Sequence, residues 1–291
     1  MDYINEYMAV GDTLPEAYHE AIMCLHQHGE IHPCDDWATK QKEISMTMVV
    51  LEPLKEPMIS KLFIGGPREL EQYRQEMLDG ILDFEILRGN WAYTYHDRMV
   101  NYPTYNWNEH YGWDEALDDC GYELEPFNQI DFVIQELERN PSSRRAVIIV
   151  RDPSVDAFTD EPACLQHVQY FIRNGRLDCK VLFRSNDACK ATFMNAFALI
   201  CLQKRIADRL GVEVGTYTHR ANSFHAYEQD FDMLTGYWAR IDGAYADGDI
   251  YEVAADYKGD WAEMMSEYKP VIAEVVECLR DSVSYMAGTG R

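Results

Sequence analysis

The chain has 291 residues, of which 47% are hydrophobic and 12% aromatic, enough apolar surface for one large core, and it carries no long polar low-complexity tract. Fifty acidic residues against 26 basic ones give a formal charge of −24, which repels a polyanion over most of the surface and disfavours duplex binding as the main task. An anionic small molecule stays compatible with this charge, because a deep pocket needs only a few local arginines.

In chain order, the start Met1-Asp2-Tyr3-Ile4-Asn5-Glu6 has neither the basic nor the apolar region of a signal peptide. Apolar residues at helical spacing (Leu14, Ala17, Tyr18, Ala21, Ile22, Leu25) predict a helix over 14–28, stopped by Gly29 and Pro33. Cys24, His26, His28, His32 and Cys34 raise a metal hypothesis, but their spacing fits no standard zinc template, and the favoured reading is a helix end and a polar loop. Alternation of Ile44, Met46, Met48 and Val50 predicts a strand over Glu43–Leu51, and Pro67–Leu78 reads as a helix ended by Gly80. From there to about residue 125 the pattern is irregular and aromatic, suiting loops over a cleft; Trp91 to Trp113 is the only aromatic-rich irregular segment.

Phe127–Arg139 is an amphipathic helix ended by Asn140-Pro141, and Ala146–Arg151 reads as a buried strand. Val168–Arg173 and Leu177–Phe183 form a hairpin through Asn174-Gly175. Phe193–Leu210 is a buried helix capped by Gly211, Thr216–Phe224 is a strand, and 228–240 and 261–285 are helical. No repeat or linker divides the chain, so helices are expected to cover one mixed sheet in an α/β (α+β) domain spanning 1–291, with N- and C-terminal extensions over 1–65 and 240–291. Eight scattered cysteines, several in apolar segments, read as free thiols such as Cys189, and no run of about eighteen apolar residues occurs; a cytoplasmic protein is expected.

The densest chemistry runs from Ser142 to Tyr227: Ser143-Arg144-Arg145, Pro162-Ala163-Cys164-Leu165-Gln166, Arg184-Ser185-Asn186-Asp187, Asn195 and Phe224-His225-Ala226-Tyr227. Taken singly, the cysteine reads as structural, the arginine pair as a solvated face and the histidine as a core residue. Their joint order resembles the thymidylate synthase family, which also contains the deoxycytidylate, cytidylate and deoxyuridylate hydroxymethylases. The resemblance spans roughly residues 90 to 232 and is strongest in Cys164-Leu165-Gln166 and in the eleven-residue step from Arg184 to Asn195. Leu165 after the cysteine is closer to the archaeal-type synthases and hydroxymethylases than to the common bacterial enzyme, which has His there.

The resemblance implies the family's fold and a homodimer through the sheet. It makes Cys164 the nucleophile and Tyr95 its neighbour, and gives Arg184 and Ser185 to the nucleotide phosphate, with Arg144 and Arg145 reaching it from the partner subunit. Asn195 would read the pyrimidine edge, Asp187 would bind the folate and support the base, and His225 with Tyr227 would hold the sugar 3′-hydroxyl. His96 stands where the family often has Gly. Glu71 is the candidate for the family's glutamate, with Glu76 the alternative, and Lys40 or Lys42 could stand in for a phosphate-loop arginine. The co-substrate would be 5,10-methylenetetrahydrofolate, with no metal, nucleic acid or membrane partner.

Such chemistry needs these residue types. Thiolate addition at carbon 6 turns carbon 5 into an enolate that attacks the folate methylene, and a neighbouring guanidinium favours the thiolate. Hydride from the folate then gives a methyl group, and water a hydroxymethyl group. The terminal Met286-Ala287-Gly288-Thr289-Gly290-Arg291 lacks the small apolar tail that seals ordinary thymidylate synthases, which favours hydroxymethylation, and Asn195 favours deoxyuridylate over cytosine. The alternatives are thymidylate synthase, dCMP or CMP hydroxymethylase, and an inactive homologue that binds nucleotide or messenger RNA; a hydroxymethylase would suit phage DNA modification.

Overall fold

A computed structural model describes residues 5–105, 124–246 and 265–288. Residues 106–113 of the aromatic segment, Cys120 and residues 261–264 of the last expected helix lie outside the described residues.

The frame is an eight-stranded mixed sheet. Its strands are β1 (Glu6–Gly11), β2 (Glu30–Cys34), β3 (Thr39–Val50), β6 (Val147–Ile149), β7 (Leu165–Arg173), β8 (Arg176–Phe183), β9 (Asn186–Asp187) and β10 (Glu213–Tyr227). The order is β1-β3-β10-β8-β7-β6, with β2 beside β3 and β9 beside β10. β4 (Tyr102–Tyr105) and β5 (Leu124–Phe127) form a separate pair. β1 and β2 were not expected from sequence, and Phe127 belongs to β5 rather than to the following helix.

The helices are α1 (Leu14–His28), α2 (Pro67–Asp79), α3 (Phe84–Leu87), α4 (Tyr95–Val100), α5 (Gln129–Arg139), α6 (Pro153–Asp156), α7 (Thr192–Leu210), α8 (Phe231–Ala246) and α9 (Lys269–Gly288). α1 begins where Thr13 and Glu16 close a capping box: the Thr13 hydroxyl accepts from Glu16 N at 3.3 Å, and the Glu16 carboxylate accepts from Thr13 N at 3.2 Å. α7 ends at Gly211 with φ 66°, and Asn174 and Gly175, at φ 52° and 75°, make the tight turn between β7 and β8. α7 is buried along most of its length and packs on α2, α5 and the inner sheet face, where Phe183, Phe193, Phe197 and Phe224 fill the core.

Two irregularities aim side chains at one end of the sheet. Ala221 pairs with Met46 and Phe224 with Ile44, so β10 spends three residues where β3 spends two. The extra residue reverses the alternation. Tyr217, His219 and Ala221 face the helices, then Phe224 and Ala226 do, and His225 and Tyr227 are turned to the other side. Similarly, Leu165 pairs with Phe183 but His167 with Leu182, which leaves Gln166, two residues after Cys164, as the extra residue.

Gly80 closes α2 at φ 62°, and a Cβ there would sit 2.2 Å from His96 Nδ1 and 2.4 Å from Asp83 Oδ2. Those two groups bond each other at 2.6 Å, and Asp83 also accepts from the Thr94 hydroxyl at 2.5 Å. Gly80→Ala is expected to destabilise the protein by about 1–3 kcal/mol, from the left-handed backbone and the clash together. An unchanged urea midpoint would show that this junction is not tight.

Candidate active site

Cys164 is half-buried immediately before β7. The three carbonyls of the segment leading to it are all satisfied, which fixes its course. Arg184 Nη2 donates to Pro162 O at 2.7 Å and Arg184 Nε to Ala163 O at 3.1 Å. Arg184 N donates to Cys164 O at 2.9 Å, and the Gln166 amide donates to Ala163 O at 2.8 Å and to Cys164 O at 3.3 Å. The guanidinium thus braces the cysteine loop while keeping N–H groups free of it for a ligand anion.

Burial pushes the Cys164 thiol up, Arg184 pulls it down, and Glu161 pushes it up again; the net direction is upward. Arg184 thus favours the thiolate, as expected from sequence, and burial outweighs it. Alkylation of Cys164 by iodoacetamide, followed on its peptide by mass spectrometry, should rise with pH later than for an ordinary thiol. Arg184→Gln should delay it further. A Cys164 profile lying below that of a free thiol would contradict this balance.

Next to the cysteine lies a cleft of about 380 Å³ whose wall includes Tyr73, Glu76, Trp91, Tyr93, Tyr95 and Glu161. Leu165 N donates to the Tyr95 hydroxyl at 3.4 Å, and the charge of Cys164 is felt by Tyr73, Tyr93 and Tyr95. Tyr73 donates in a short bond to the Asn195 side-chain oxygen. Asn195 is buried in the second turn of α7.

Asp187 accepts from Cys189 N and Lys190 N, both at 2.9 Å, and pairs with His225 across β9 and β10. Burial pushes the Asp187 carboxyl up and the His225 imidazole down, and each is drawn part of the way back by the other's charge. The His225 ring is nearly inaccessible, with Nδ1 at 3.4 Å from Ser223 O. A carbonyl can only accept, so that contact makes Nδ1 the donor and leaves Nε2 an acceptor, and Nε2 is buried with no partner among the described residues. Tyr227 packs edge-on to His225 at 4.8 Å, and its phenol is pushed up to about 12, mostly by burial. Ser185 is half-buried between β8 and β9.

Other sequence candidates are placed elsewhere. Glu71 faces the opposite side of α2: it is fully buried, accepts from Arg74 Nη2 at 2.7 Å and Nε at 2.8 Å, and lines a different cavity with Cys201. The α2 glutamate in the cysteine cleft is Glu76, half-buried, with its carboxyl pushed up by burial. Lys42 donates to His26 O at 2.5 Å and Lys40 pairs with Glu228 at 3.7 Å. Arg144 and Arg145 are exposed before β6, with Arg145 held 3.0 Å from the buried Glu136. The β6–β7 register sets Arg145 near Phe171, seven residues from Cys164, or about 20 Å along a strand, so the pair does not join Arg184 within one protomer. His26 stacks on Trp238 and His28 on Tyr7, so the two point different ways, and among the described residues no group of three or more ligating side chains could hold a metal ion.

Sequence reasoning missed Tyr73, Tyr93 and Glu161, and it placed Gln166 in the motif without a role. The signal for Tyr73 was its spacing from Glu76, three residues along one helix face.

A cysteine loop braced through its carbonyls by a guanidinium lies beside an aromatic-walled cleft at one end of a mixed sheet. The thymidylate synthase family model matches residues 69–253. A thymidylate synthase homologue of Methanocaldococcus jannaschii is 34% identical over 232 residues, covering 78% of this chain and 93% of its own length. One from Methanosarcina barkeri is 29% identical over 224 residues, covering 76% and 90%. The solved thermostable thymidylate synthase A of Bacillus subtilis shares the fold, with a TM-score of 0.56 at 19% identity over 78% of this chain and 84% of that one. The chain belongs to the thymidylate synthase family, and like the members of that family it is a transferase.

Proposed function

We propose that the protein transfers a one-carbon unit from 5,10-methylenetetrahydrofolate to carbon 5 of a pyrimidine deoxynucleoside monophosphate, and that its reaction is hydroxymethylation of dUMP. The observation that carries this reading is the Cys164 loop, gripped by the Arg184 guanidinium and tied through Leu165 N to Tyr95 in the wall of the tyrosine-lined cleft. In it, Cys164 adds to carbon 6, Arg184 and Ser185 hold the phosphate, and Tyr95 supports the attack. The unpartnered Nε2 of His225 accepts from the sugar 3′-hydroxyl beside Tyr227, Asp187 serves the folate and the base, and Glu76 takes the glutamate role in place of Glu71.

Uracil is favoured by the bond from Tyr73 to the Asn195 oxygen, which leaves the amide N–H groups to donate to a ring carbonyl where cytosine carries an amino group. Hydroxymethylation is favoured by the half-exposed setting of Cys164, which leaves water a route to the reacting carbon. The archaeal relatives, which are described as thymidylate synthases, favour the second reading, a methyl product.

The whole chain acts as one domain in this reading, in the cytoplasm, and its homodimer forms through the sheet face on which Met8, Val10 and Ile149 are exposed among the described residues. The partner's arginines then complete the phosphate site. Mixing Arg144→Ala with Cys164→Ser subunits should restore activity through hybrid dimers that hold one intact site, whereas no recovery after confirmed exchange would place the phosphate elsewhere. The reaction itself is tested by release of tritium from carbon 5 of labelled dUMP, dCMP and CMP with the folate present, and by the mass of the product. Release from none of them would end the enzyme reading.

A further inference from the structure

Three carboxyl groups line the cysteine cleft. Asp83 is already committed to the Thr94 hydroxyl at 2.5 Å and to His96 Nδ1 at 2.6 Å, which leaves Glu76 and Glu161, in different surroundings. Glu76 is half-buried on α2, with one oxygen accepting from the Gln72 amide at 2.9 Å. Glu161 is solvent-exposed, and among the described residues its carboxylate has no hydrogen-bond or ion-pair partner. Its backbone is nonetheless tied to the thiol, because the two residues between them, Pro162 and Ala163, have both carbonyls gripped by Arg184. A carboxylate at this position works against Cys164, since it opposes the ionisation that the thiol needs. A locally unfavourable charge in a reacting cleft points to another use. Paired carboxyl groups set apart by their environments divide acid and base duties.

Resting on the reading that this enzyme builds a one-carbon adduct on Cys164, we propose that Glu161 is the base that delivers water to the exocyclic methylene and so directs the product to hydroxymethyl. Once tetrahydrofolate has left, the ring carries an exocyclic C=CH₂ conjugated with its carbonyl, and Cys164 is bonded to carbon 6. A water oxygen bonds to the methylene carbon as the water proton passes to the Glu161 carboxylate. The electron pair of the exocyclic double bond moves onto the ring carbonyl as an enolate. The enolate then re-forms the ring double bond and expels Cys164 as thiolate. The balance is dUMP, methylenetetrahydrofolate and water to hydroxymethyl-dUMP and tetrahydrofolate, with no oxidant or reductant consumed.

The test is Glu161→Gln in the full-length enzyme, with two readouts on the same samples. Tritium release from carbon 5 reports every step up to the methylene intermediate, and product mass reports the fate of that intermediate. 2-Mercaptoethanol is included to trap the intermediate as a thioether. Glu161→Gln should keep tritium release within about threefold while hydroxymethyl product falls roughly 100-fold, the range of a lost general base, and the thioether rises. Hydroxymethyl product unchanged in the variant overturns the proposal, as does an equal fall in both readouts. Wild-type enzyme that releases tritium but yields only methyl product overturns it while leaving one-carbon transfer intact. No tritium release from the wild type fails the underlying reading, and this proposal with it.

Discussion

Cys164→Ser should abolish turnover, by at least about 10,000-fold, while dUMP still binds within about threefold of wild type. The reason is local. The bonds that shape this loop run through backbone carbonyls to Arg184 and Gln166, and none of them uses the sulfur, so the variant keeps the pocket. What it loses is acidity. A hydroxyl ionises far less readily than a thiol, and the site already leans against ionisation through burial and Glu161. The thiols of Cys179, Cys189 and Cys201 cannot take over, because they are buried and pushed up by burial, Cys189 and Cys201 to about 12. Isothermal titration with dUMP and tritium release on the same preparation separate the outcomes. Retained turnover would require another nucleophile, and loss of both would mean that the sulfur supports the fold.

The sequence foretold the parts of the fold whose determinants are local. The capping box at Thr13, the Asn174-Gly175 turn and Gly211 act within a few residues, and the corresponding helix and hairpin lie where their patterns put them. β1 escaped notice because it is an edge strand whose Met8 and Val10 face outward, so the alternation that marks a half-buried strand is inverted. β2 carries Pro33 and charged neighbours, which read as a loop, although pairing with β3 makes it a strand. In the site, Cys164 and Arg184 were legible because the order and spacing of their motifs resemble the family's. The turn of His225 and Tyr227 out of the core was not, since it depends on one extra residue in β10 that only the pairing with β3 reveals. Gln166 was visible in the motif, but its role as a staple across the Ala163 and Cys164 carbonyls emerges only in three dimensions.

The choice between Glu71 and Glu76 turns on which face of α2 meets α7, and a paired substitution decides it. Glu71 is fully enclosed and holds the largely buried Arg74 by two hydrogen bonds, with Gln75 donating to the same carboxylate at 2.8 Å. Glu71→Gln strands that guanidinium without its counter-charge, and the expected cost is about 3–5 kcal/mol of folding stability, with turnover per folded molecule nearly unchanged. Glu76→Gln should do the reverse. Burial raises the Glu76 carboxyl, so the ionised form is disfavoured in the folded state, and a neutral amide of the same shape removes that penalty at neutral pH. Its urea midpoint should therefore hold or rise. Its kcat should fall by roughly 100-fold to 1,000-fold, because the amide cannot carry a proton to or from the ring. Urea unfolding and single-turnover rates on both variants provide the check. A stable but inactive Glu71→Gln beside an active Glu76→Gln would return the glutamate role to Glu71, and would mean that the cleft used by the ring is not the one next to Tyr73 and Tyr95.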